Sequence, residues 1–577
     1  MKSTFHRAGL KELRAVRNQS SGLYFCIALF SVFVNALMLT GPLYMMQVYD
    51  SVLGSRSEAT LLALSLLVVF LYGMMGLLDF ARAGILSRAG ARFQAALDRR
   101  VFSAMVRRSA VAKDPVAETG LRDLEAIQQL ISSPVLAAAF DIPWTPLFLA
   151  GITLFHPWLG WLALGGGAVL VGIALLNQFL TRTPQQNAAA MGHRATQMSE
   201  NIRTEAEMIQ SLGMRNAAFQ RWKLSRDAAL RDGISAKDLG GIFTTSSRTL
   251  RLFLQSAMLG LGAYLVLKGE MTAGAIIAVS ILTGRALAPI ETVVGQWALV
   301  ERASRGWRSL AELLDKVPEE EERTSLPSPK ATLAVEFLAV VPPGDTRLRL
   351  RDVNFRVEPG QAVGVIGPSG SGKSTLAKAL TAIWLPASGT IRLDGAAIGQ
   401  YAPDILGRHI GYLPQRVQMF DGTIAENIAR LSVQPDAQKV VAAAKKAAAH
   451  EMIVGLPEGY DTRVSMAGGP LSGGQLQRIG LARALYDDPV IVILDEPNSN
   501  LDSEGSQALN RAIQQLKSEG AAVLIMAHRP AAIQACDLLL VLDGGRQKAF
   551  GPRDAVLQQT VTNHQTLRQV ATAGGAQ

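Results

Sequence analysis

The sequence has few of the residues on which disulfide frameworks and protein metal centres depend. Its 577 residues include two cysteines, Cys26 in an apolar run near the amino terminus and Cys536 far along the chain. Domains held together by disulfides carry several cysteines, and structural zinc sites need clustered ligands. The sequence therefore predicts neither a disulfide framework nor a cysteine-based metal site.

Acidic residues are too few to balance the basic ones, and the net charge is +10 at pH 7. A positive charge of this size occurs in proteins that bind nucleic acid. Here, however, the arginines of the first half are concentrated between apolar runs. Hydrophobic residues make up 49% of the chain, and the mean hydropathy is +0.20. The chain is therefore too apolar for a purely soluble protein, is long enough for at least two domains, and is not expected to bind nucleic acid.

Six apolar stretches in the first half are long enough to cross a membrane. They are residues 23–43, 59–78, 135–154, 158–180, 250–267 and 273–294. The first is too long for a removable signal peptide and lacks a convincing cleavage site. Charged residues interrupt the third and sixth stretches, which could also be buried helices of a soluble domain.

The basic residues indicate how these spans are oriented. Nearly all arginines of this half lie in two long connections, residues 82–130 and 181–249. The positive-inside rule places both in the cytoplasm, together with the basic head at residues 1–20. Both connections are predicted to be helical extensions of the spans, with turns near 117–124 and 206–214 that dock on a cytoplasmic domain.

A phosphate-binding loop begins after the apolar run at 362–366. Residues 367–375 read GPSGSGKST, match G-x-x-x-x-G-K-[ST], and precede a helix-like run at 376–383. Strand, glycine loop and helix are the context that this motif requires. Lys373 would reach the outer phosphates, and the Ser374 hydroxyl would bind Mg²⁺. The predicted phosphate-binding residues are Gly367, Pro368, Ser369, Gly370, Ser371, Gly372, Lys373, Ser374 and Thr375.

A second glycine motif, LSGGQ, comprises Leu471, Ser472, Gly473, Gly474 and Gln475. The serine and the glutamine fit a capping box at the start of a helix. The two glycines leave backbone N–H groups open to a phosphate at the helix N-terminus. Capping boxes are common, so the motif alone does not distinguish an ordinary helix start from a phosphate-binding site. The neighbouring motifs make that distinction.

Two adjacent carboxylates follow the apolar run at 490–494. Asp495 and Glu496 would be solvated charges on an ordinary surface loop. At the carboxyl end of a buried strand, downstream of a phosphate loop, catalysis is the better interpretation. Asp495 is predicted to hold Mg²⁺, and Glu496 to polarise the attacking water.

These motifs resemble the ATP-binding cassette (ABC) family, and the resemblance covers the chain from Thr332 onward. It implies that Gln415, in GYLPQ, senses Mg²⁺, that Asp502 belongs to a loop crossing a dimer interface, and that His528 contacts the γ-phosphate. The implied catalytic residues are Glu496, His528 and Lys373, and the implied Mg²⁺ ligands are Ser374, Gln415 and Asp495. In this family ATP lies between the phosphate loop of one copy and the LSGGQ of another, which implies an obligate dimer.

Two segments depart from the family pattern. Residues 340–343 read VVPP where the family usually places an aromatic residue that stacks on adenine. Residues 465–470 read SMAGGP, without the acidic residue that many exporters carry before LSGGQ. Transmission to the membrane domain is therefore expected to use other contacts.

Six spans with helical extensions and a carboxyl-terminal cassette resemble the half-transporter exporters. The predicted fold is an α-helical membrane domain of six transmembrane helices, fused to an α/β P-loop nucleotide-binding domain. The predicted boundaries are a basic head at 1–20, a membrane domain at 21–311, a linker at 312–330, an ATPase domain at 331–565 and a flexible tail at 566–577.

Three longer segments resemble the permease/ATPases of type I secretion systems. They are PLYMMQVYDSVLGSRSEATL at 42–61, FDIPWTPLFL at 140–149 and DEPNSNLD at 495–502. The resemblance implies a bacterial inner-membrane protein with a cytoplasmic ATPase domain, membrane lipid around it, a periplasmic adaptor and an outer-membrane channel as partners. The head does not resemble the peptidase domain of leader-cleaving exporters, so we expect a polypeptide cargo with an uncleaved C-terminal signal.

Three other functions remain open. An exporter of lipids or small hydrophobic compounds would share every ATPase motif. A soluble DNA-repair ATPase would require most spans to be misassigned, and a membrane-anchored signalling module would not need Glu496.

Three charged residues at membrane depth are candidates to line a translocation path: Arg285, Asp141 and Glu291. Charges in a bilayer are unfavourable and usually serve a function. These residues could equally form ion pairs between helices, or extend their charged ends to the membrane surface.

Overall fold

The computed structural model describes residues 6–112, 114–320, 323, 326–465, 471–499, 501–527 and 533–560. Two compact units account for these residues. The first contains residues up to 319 apart from 110–112, and the second contains those three residues and the chain from 320 onward. The predicted tail at 566–577 lies outside the described residues.

The first unit is helical. Its helices are α1 (His6–Asn18), α2 (Ser21–Leu37), α3 (Thr40–Gln47), α4 (Leu53–Ser55), α5 (Glu58–Val111), α6 (Pro115–Ile131), α7 (Pro134–Asp141), α8 (Thr145–Phe155), α9 (Pro157–Thr204), α10 (Ala206–Ser211), α11 (Arg215–Leu267), α12 (Ala273–Gly295) and α13 (Trp297–Lys316). Within the described residues, six helical stretches are long and apolar enough to cross a membrane: Ser21–Ser55, Glu58–Val111, Pro134–Phe155, Pro157–Thr204, Arg215–Leu267 and Ala273–Gly295. All six predicted spans are confirmed.

Three of these helices are much longer than a bilayer is thick. Helix α5 has 54 residues, which corresponds to about 80 Å at 1.5 Å per residue. Helices α9 and α11 are similarly long, so the predicted helical extensions are confirmed. The turn predicted near 206–214 is present, since α10 ends at Ser211 and Gly213 has a φ of +64°. Its docking on the second unit stays a prediction.

The turn predicted near 117–124 is wrong. These residues lie inside α6, where Ala117 and Leu124 are fully buried. The chain turns earlier, at the start of α6, where the Asp114 carboxylate accepts a hydrogen bond from the Val116 N–H at 3.1 Å. Pro115 then occupies the first helical position, where a missing N–H has no effect on the helix. Arg108 and Lys316 hold the pKa of Asp114 below its usual value, against the opposing effect of burial.

An apolar core joins α1, α5, α6 and α13. Phe93 stacks on Trp307 with ring centroids 5.9 Å apart, and Leu13 brings the amino-terminal helix into the same core. Leu313 and Leu314 are buried there as well, so α13 continues to Lys316. The predicted linker at 312–330 therefore begins too early, because its first five residues complete an amphipathic helix.

A buried polar network links α2, α5 and α7. The Arg82 guanidinium lies 2.8 Å from the Asp141 carboxylate and 2.9 Å from that of Asp79. It also donates to the Ser31 hydroxyl at 2.9 Å, and the Asn35 amide donates to Asp141 at 2.8 Å. Asp141 thus forms an interhelical ion pair with Arg82. Such a pair was one of the alternatives to a place in the translocation path.

The segment between α3 and α4 forms a π-helical turn at Val48–Val52. The turn directs Asp50 toward the start of α12. The Asp50 carboxylate accepts a hydrogen bond from the Thr272 hydroxyl at 2.8 Å and one from the Gly274 N–H at 3.0 Å. A β-carbon at Gly274 would lie 2.7 Å from the Met46 carbonyl oxygen. Asp50 therefore adds to the cap that Thr272 forms by accepting from the Ala275 N–H at 3.3 Å, which gives the first secretion-like segment a structural role.

We expect Asp50→Ala to destabilise the first unit by about 1 kcal/mol, the usual net contribution of a hydrogen bond to stability. The variant loses the acceptor for both hydrogen bonds. Thermal unfolding of the purified protein would show a lower midpoint. Asp50→Asn keeps an acceptor oxygen and should lose less; equal midpoints for Asp50→Ala and the wild type would contradict the capping role.

The second unit contains twelve strands and eight α-helices among its described residues. The strands are β1 (Leu333–Val340), β2 (Leu350–Val357), β3 (Ala362–Ile366), β4 (Ser388–Leu393), β5 (Ala396–Ala397), β6 (Ile410–Leu413), β7 (Gly422–Thr423), β8 (Arg463–Val464), β9 (Ile491–Asp495), β10 (Ala522–Met526), β11 (Leu538–Asp543) and β12 (Arg546–Pro552). The helices are α14 (Lys373–Leu380), α15 (Pro403–His409), α16 (Ile424–Ile428), α17 (Ala437–Lys446), α18 (His450–Val454), α19 (Gly473–Leu485), α20 (Ser503–Ser518) and α21 (Arg553–Thr560).

Ten of these strands form one sheet in the order β5-β4-β1-β2-β12-β11-β3-β10-β9-β6. The neighbours β11, β3, β10, β9 and β6 are parallel, and every residue of β9 and β10 is buried. Strands buried on both faces explain the continuous apolar runs in the sequence. Their carboxyl ends meet at one edge, which is where ligands bind in open α/β sheets.

Candidate active site

The predicted nucleotide residues lie at this common edge. The glycine loop follows β3, Asp495 ends β9, and Gln415 comes two residues after β6. Strand β10 lies between β3 and β9, with Met526 paired to Val365 on one side and to Asp495 on the other. Parallel pairing thus brings together residues that are far apart in sequence.

The glycine loop encloses its lysine. Lys373 begins α14, and its ammonium group donates hydrogen bonds to the carbonyls of Gly367 and Pro368, at 2.8 and 3.0 Å. Burial lowers the pKa of Lys373, although the charges of Glu496 and Asp495 act in the opposite direction. The Ser371 hydroxyl is buried and has no hydrogen-bond partner among the described residues. The loop therefore has a cation and a polar atom ready for an anionic ligand.

We expect Gly367→Ala to weaken ATP binding by at least about tenfold. A β-carbon at this position would lie 2.1 Å from the Leu542 carbonyl oxygen, and 1.4 kcal/mol of loop distortion is enough for that factor. Binding of a fluorescent ATP analogue measures the effect. Gly399→Ala is the control, because its β-carbon would meet open space and Gly399 does not have the left-handed backbone that strains alanine; equal affinities in the two variants would contradict the steric argument.

Asp495 lies beside the first helical turn after the loop. Its carboxylate is 3.5 Å from the Ser374 hydroxyl, and the residue is 3% exposed. Burial raises the pKa of Asp495 and the charge of Glu496 raises it further, while Ser374 and Lys373 lower it. Burial also raises the pKa of the nearby Tyr412 phenol to about 12, so that phenol stays protonated. The hydroxyl and carboxylate oxygens are of the kind that Mg²⁺ prefers.

Glu496 has a backbone φ of +51°, which is uncommon for a residue other than glycine. Its N–H bonds the Met526 carbonyl at 3.0 Å, and its carboxylate accepts from the Gln415 amide at 2.9 Å. The left-handed backbone turns the side chain out of the strand direction. Strained residues of this kind cluster at functional sites.

One contact was missed by sequence reasoning. The Gln477 amide, which is buried in α19, donates to the carbonyls of Glu496 and Pro497 at 3.4 and 2.5 Å. It connects the LSGGQ helix to the backbone of the catalytic loop. The only signal in the sequence was its position two residues after the motif.

The LSGGQ segment forms the predicted capping box. The Ser472 N–H donates to the Gln475 side chain at 2.8 Å, and the Ser472 hydroxyl accepts from the Gln475 N–H at 3.3 Å. Ser472 and Gly473 are exposed. The positively polarised start of α19 is therefore open to solvent within one chain.

Asp502 caps α20 by accepting from the Gly505 N–H at 2.7 Å, and it lies 3.8 Å from the Arg478 guanidinium. His528, Asn500 and the segment 466–470 before LSGGQ lie outside the described residues. The roles assigned to His528 and to that segment stay predictions.

The three candidate path residues differ in their surroundings. Asp141 is buried in the Arg82 network described above. Glu291 accepts from the Arg251 guanidinium at 2.6 Å. Arg285 is exposed on α12. Their assignment to a translocation path stays a prediction.

Comparison with known proteins identifies both units. Residues 24–287 match the family model described as "ABC transporter transmembrane region", and residues 350–499 match "ABC transporter". The chain is 42% identical over 568 residues to the type I secretion system ATP-binding protein PrsD of Rhizobium meliloti, covering 98% of this chain and 96% of that protein. The chain belongs to the ABC transporter family.

Other ABC transporters are similar over most of their length. The toxin RTX-I translocation ATP-binding protein of Actinobacillus pleuropneumoniae is 29% identical, with 89% of this chain and 74% of that protein covered. The leukotoxin translocation ATP-binding protein LktB of Mannheimia haemolytica is 28% identical, with 94% and 77% covered. A solved bacterial Atm1-family ABC exporter with ATP bound has the same fold, with a TM-score of 0.78, 22% identity, and 96% and 98% of the two chains covered.

Family membership confirms the predicted fold and enzymatic class. This ABC transporter is a multi-pass protein of the bacterial inner membrane, and its cytoplasmic ATPase domain binds ATP. The residues present fit that ligand: β-carbons at Gly367 and Gly372 would clash with their surroundings, the buried Ser371 hydroxyl has no partner within the part of the chain that the structure describes, and Lys373 supplies charge.

Proposed function

We propose that this ABC transporter is the energising permease of a type I secretion system, and that it exports an unfolded polypeptide with a C-terminal signal. The observation that carries the proposal is the 42% identity to a type I secretion ATP-binding protein across 98% of the chain. Two further relatives, named for toxin and leukotoxin translocation, support it. An exporter of lipids or small hydrophobic compounds is not favoured by these relatives.

The proposed working form is a homodimer with two composite ATP sites. Exposed Ser472 and Gly473 cap a helix whose N-terminus is open in one chain. Helix N-termini bind phosphate groups through free N–H groups and the helix dipole. In the dimer, LSGGQ of one copy would contact the γ-phosphate held by Lys373 of the other.

The chain's own residues then have separate roles. Bound ATP with Mg²⁺ supplies the phosphoryl group and the charge neutralisation for its transfer. Lys373 would exchange its two loop carbonyls for phosphate oxygens, while Ser374, Asp495 and Gln415 would hold the metal. Glu496 accepts the proton of the attacking water, and the Gln415 amide fixes the orientation of its carboxylate. His528 is proposed to contact the γ-phosphate.

Closure of the two ATPase domains is proposed to pull on the long helices and to rearrange the spans. A periplasmic adaptor and an outer-membrane channel complete the proposed route. These partners follow from membership in a type I secretion system.

Deletion of the gene in its host tests the proposal. Mass spectrometry of the culture medium should show at least one polypeptide that disappears on deletion. It should return with the wild-type gene and stay absent with Glu496→Gln. An unchanged set of secreted proteins, or a change confined to membrane lipids, would overturn protein export.

A further inference from the structure

Helix α12, the last span, is the most enclosed of the six. Half of its apolar stretch is buried, against a third or less in each of the other five. It packs against α3, α7, α8, α9 and α11 of the same chain. A span surrounded on so many sides has little surface left for lipid or for another subunit.

The middle of α12 has a face that stays partly uncovered. Arg285 and Ala288 are exposed, and Ile281 and Thr292 are half-buried, whereas Ala286 and Leu287 are fully buried. Residues 281, 285, 288 and 292 have the spacing of a single helical face. We call these four residues the α12 stripe.

Arg285 places a positive charge near the middle of the span. It lies twelve residues into a 23-residue helix, or about 18 Å from its start. Asp141 and Glu291 are paired with Arg82 and Arg251, and no ion pair reaches Arg285 within the described residues. An arginine side chain that faces lipid tails at this depth is energetically unfavourable. The stripe is therefore not a lipid-facing surface.

A dry contact between two copies of the stripe is also unfavourable. Contacts across a twofold axis bring the same patch of each subunit together. Two Arg285 side chains would then meet as like charges without water to screen them. If the stripe faces water, Arg285 is hydrated and the two like charges are screened from each other.

Resting on the proposed function, we propose that the α12 stripe lines the water-filled translocation path and that Arg285 makes this path selective for polypeptide segments rich in carboxylates. A fixed positive charge in a low-dielectric surrounding attracts aspartate and glutamate and repels lysine and arginine. Export of acidic segments is thereby favoured over export of basic ones.

Thiol labelling tests this without knowledge of the cargo. Cys26→Ala and Cys536→Ala remove the native thiols, and Ile281→Cys or Ala288→Cys then places one thiol a helical turn from Arg285. The control is Ala286→Cys, on the packed face. Purified protein in lipid nanodiscs is treated with an anionic or a cationic methanethiosulfonate, the sulfonatoethyl and trimethylammonioethyl reagents, and labelling is followed by intact mass.

We expect both stripe variants to react and the Ala286→Cys variant to react only after denaturation. Each rate is divided by that reagent's rate with a free small-molecule thiol. After this normalisation the anionic reagent should be favoured about tenfold over the cationic one near Arg285, the ratio that unit charges about 6 Å apart in water produce. Adding Arg285→Gln should abolish this preference. Stripe thiols as protected as the control would overturn the aqueous path, and equal normalised rates with the two reagents would overturn the role of Arg285.

Export in the host provides the second measurement. Arg285→Glu should lower the amount of secreted polypeptide about tenfold, while Arg285→Lys stays near normal and the basal ATPase of both variants stays within about twofold of wild type. Normal export by Arg285→Glu would overturn the selectivity. If deletion of the whole gene changes nothing in the medium, protein export itself fails, whereas the labelling result still decides whether the stripe is aqueous.

Discussion

The Glu496→Gln protein is expected to bind ATP as tightly as the wild type and to hydrolyse it at least about a hundredfold more slowly. Removing a general base typically lowers a rate by 10²–10⁴. The substitution keeps the size of the side chain and an oxygen that can accept from the Gln415 amide, now at 2.9 Å. Hydrolysis is lost because an amide cannot take the proton of the attacking water.

Phosphate release and the affinity for a fluorescent ATP analogue together test this prediction. Glu504→Gln is the matched control, since Glu504 is an exposed carboxylate eight residues further along the chain. With ATP present, cross-linking should trap Glu496→Gln in a closed dimer. Normal turnover would refute Glu496 as the base, and a loss of affinity equal to the loss of rate would show that it mainly binds nucleotide.

The nucleotide site could be predicted from the sequence because its parts are local. The loop from Gly367 to Thr375 and the capping box from Ser472 to Gln475 each depend on residues within one turn. The apolar runs before Gly367 and Asp495 indicated buried strands, and β3 and β9 are indeed buried. Sites of this kind, which depend on the spacing of residues close together in the chain, can be predicted from a single sequence.

Contacts between distant residues could not be predicted in this way. The bond from Gln477 to the Glu496 carbonyl depends on how α19 packs against β6, the neighbour of β9. The bond from Gly274 to Asp50 spans more than two hundred residues. Packing between helices also explains why the turn predicted near 117–124 is wrong. The small residues of that stretch allow close helix contact: a β-carbon at Gly120 would lie 2.9 Å from Met105.

Arg82→Leu is expected to destabilise the membrane unit by about 3–5 kcal/mol, the usual effect of leaving a buried charge without its partner. The side chains of Arg82 and Asp141 are each 10% exposed. Without the guanidinium, Asp141 keeps only the Asn35 amide as a hydrogen-bond donor among the contacts described here. One amide compensates poorly for a buried carboxylate.

Replacing the partner, Asp141, should destabilise the membrane unit less than replacing Arg82. In Asp141→Leu, Arg82 keeps Asp79 at 2.9 Å and the Ser31 hydroxyl. Because Asp79 is 40% exposed at its side chain, the remaining pair is partly hydrated. The structure therefore predicts an asymmetric pair of effects, which a simple two-residue salt bridge would not produce.

A double-mutant cycle decides between these alternatives. The variants are Arg82→Leu, Asp141→Leu and the combination, with exposed Arg88→Leu on the same helix as the control; thermal unfolding in detergent gives the midpoints. The combined variant should be more stable than Arg82→Leu alone, since it removes the stranded carboxylate. Equal losses in the two single variants would mean that Asp79 contributes nothing, and an unchanged midpoint in Arg82→Leu would mean that water, not Arg82, stabilises Asp141.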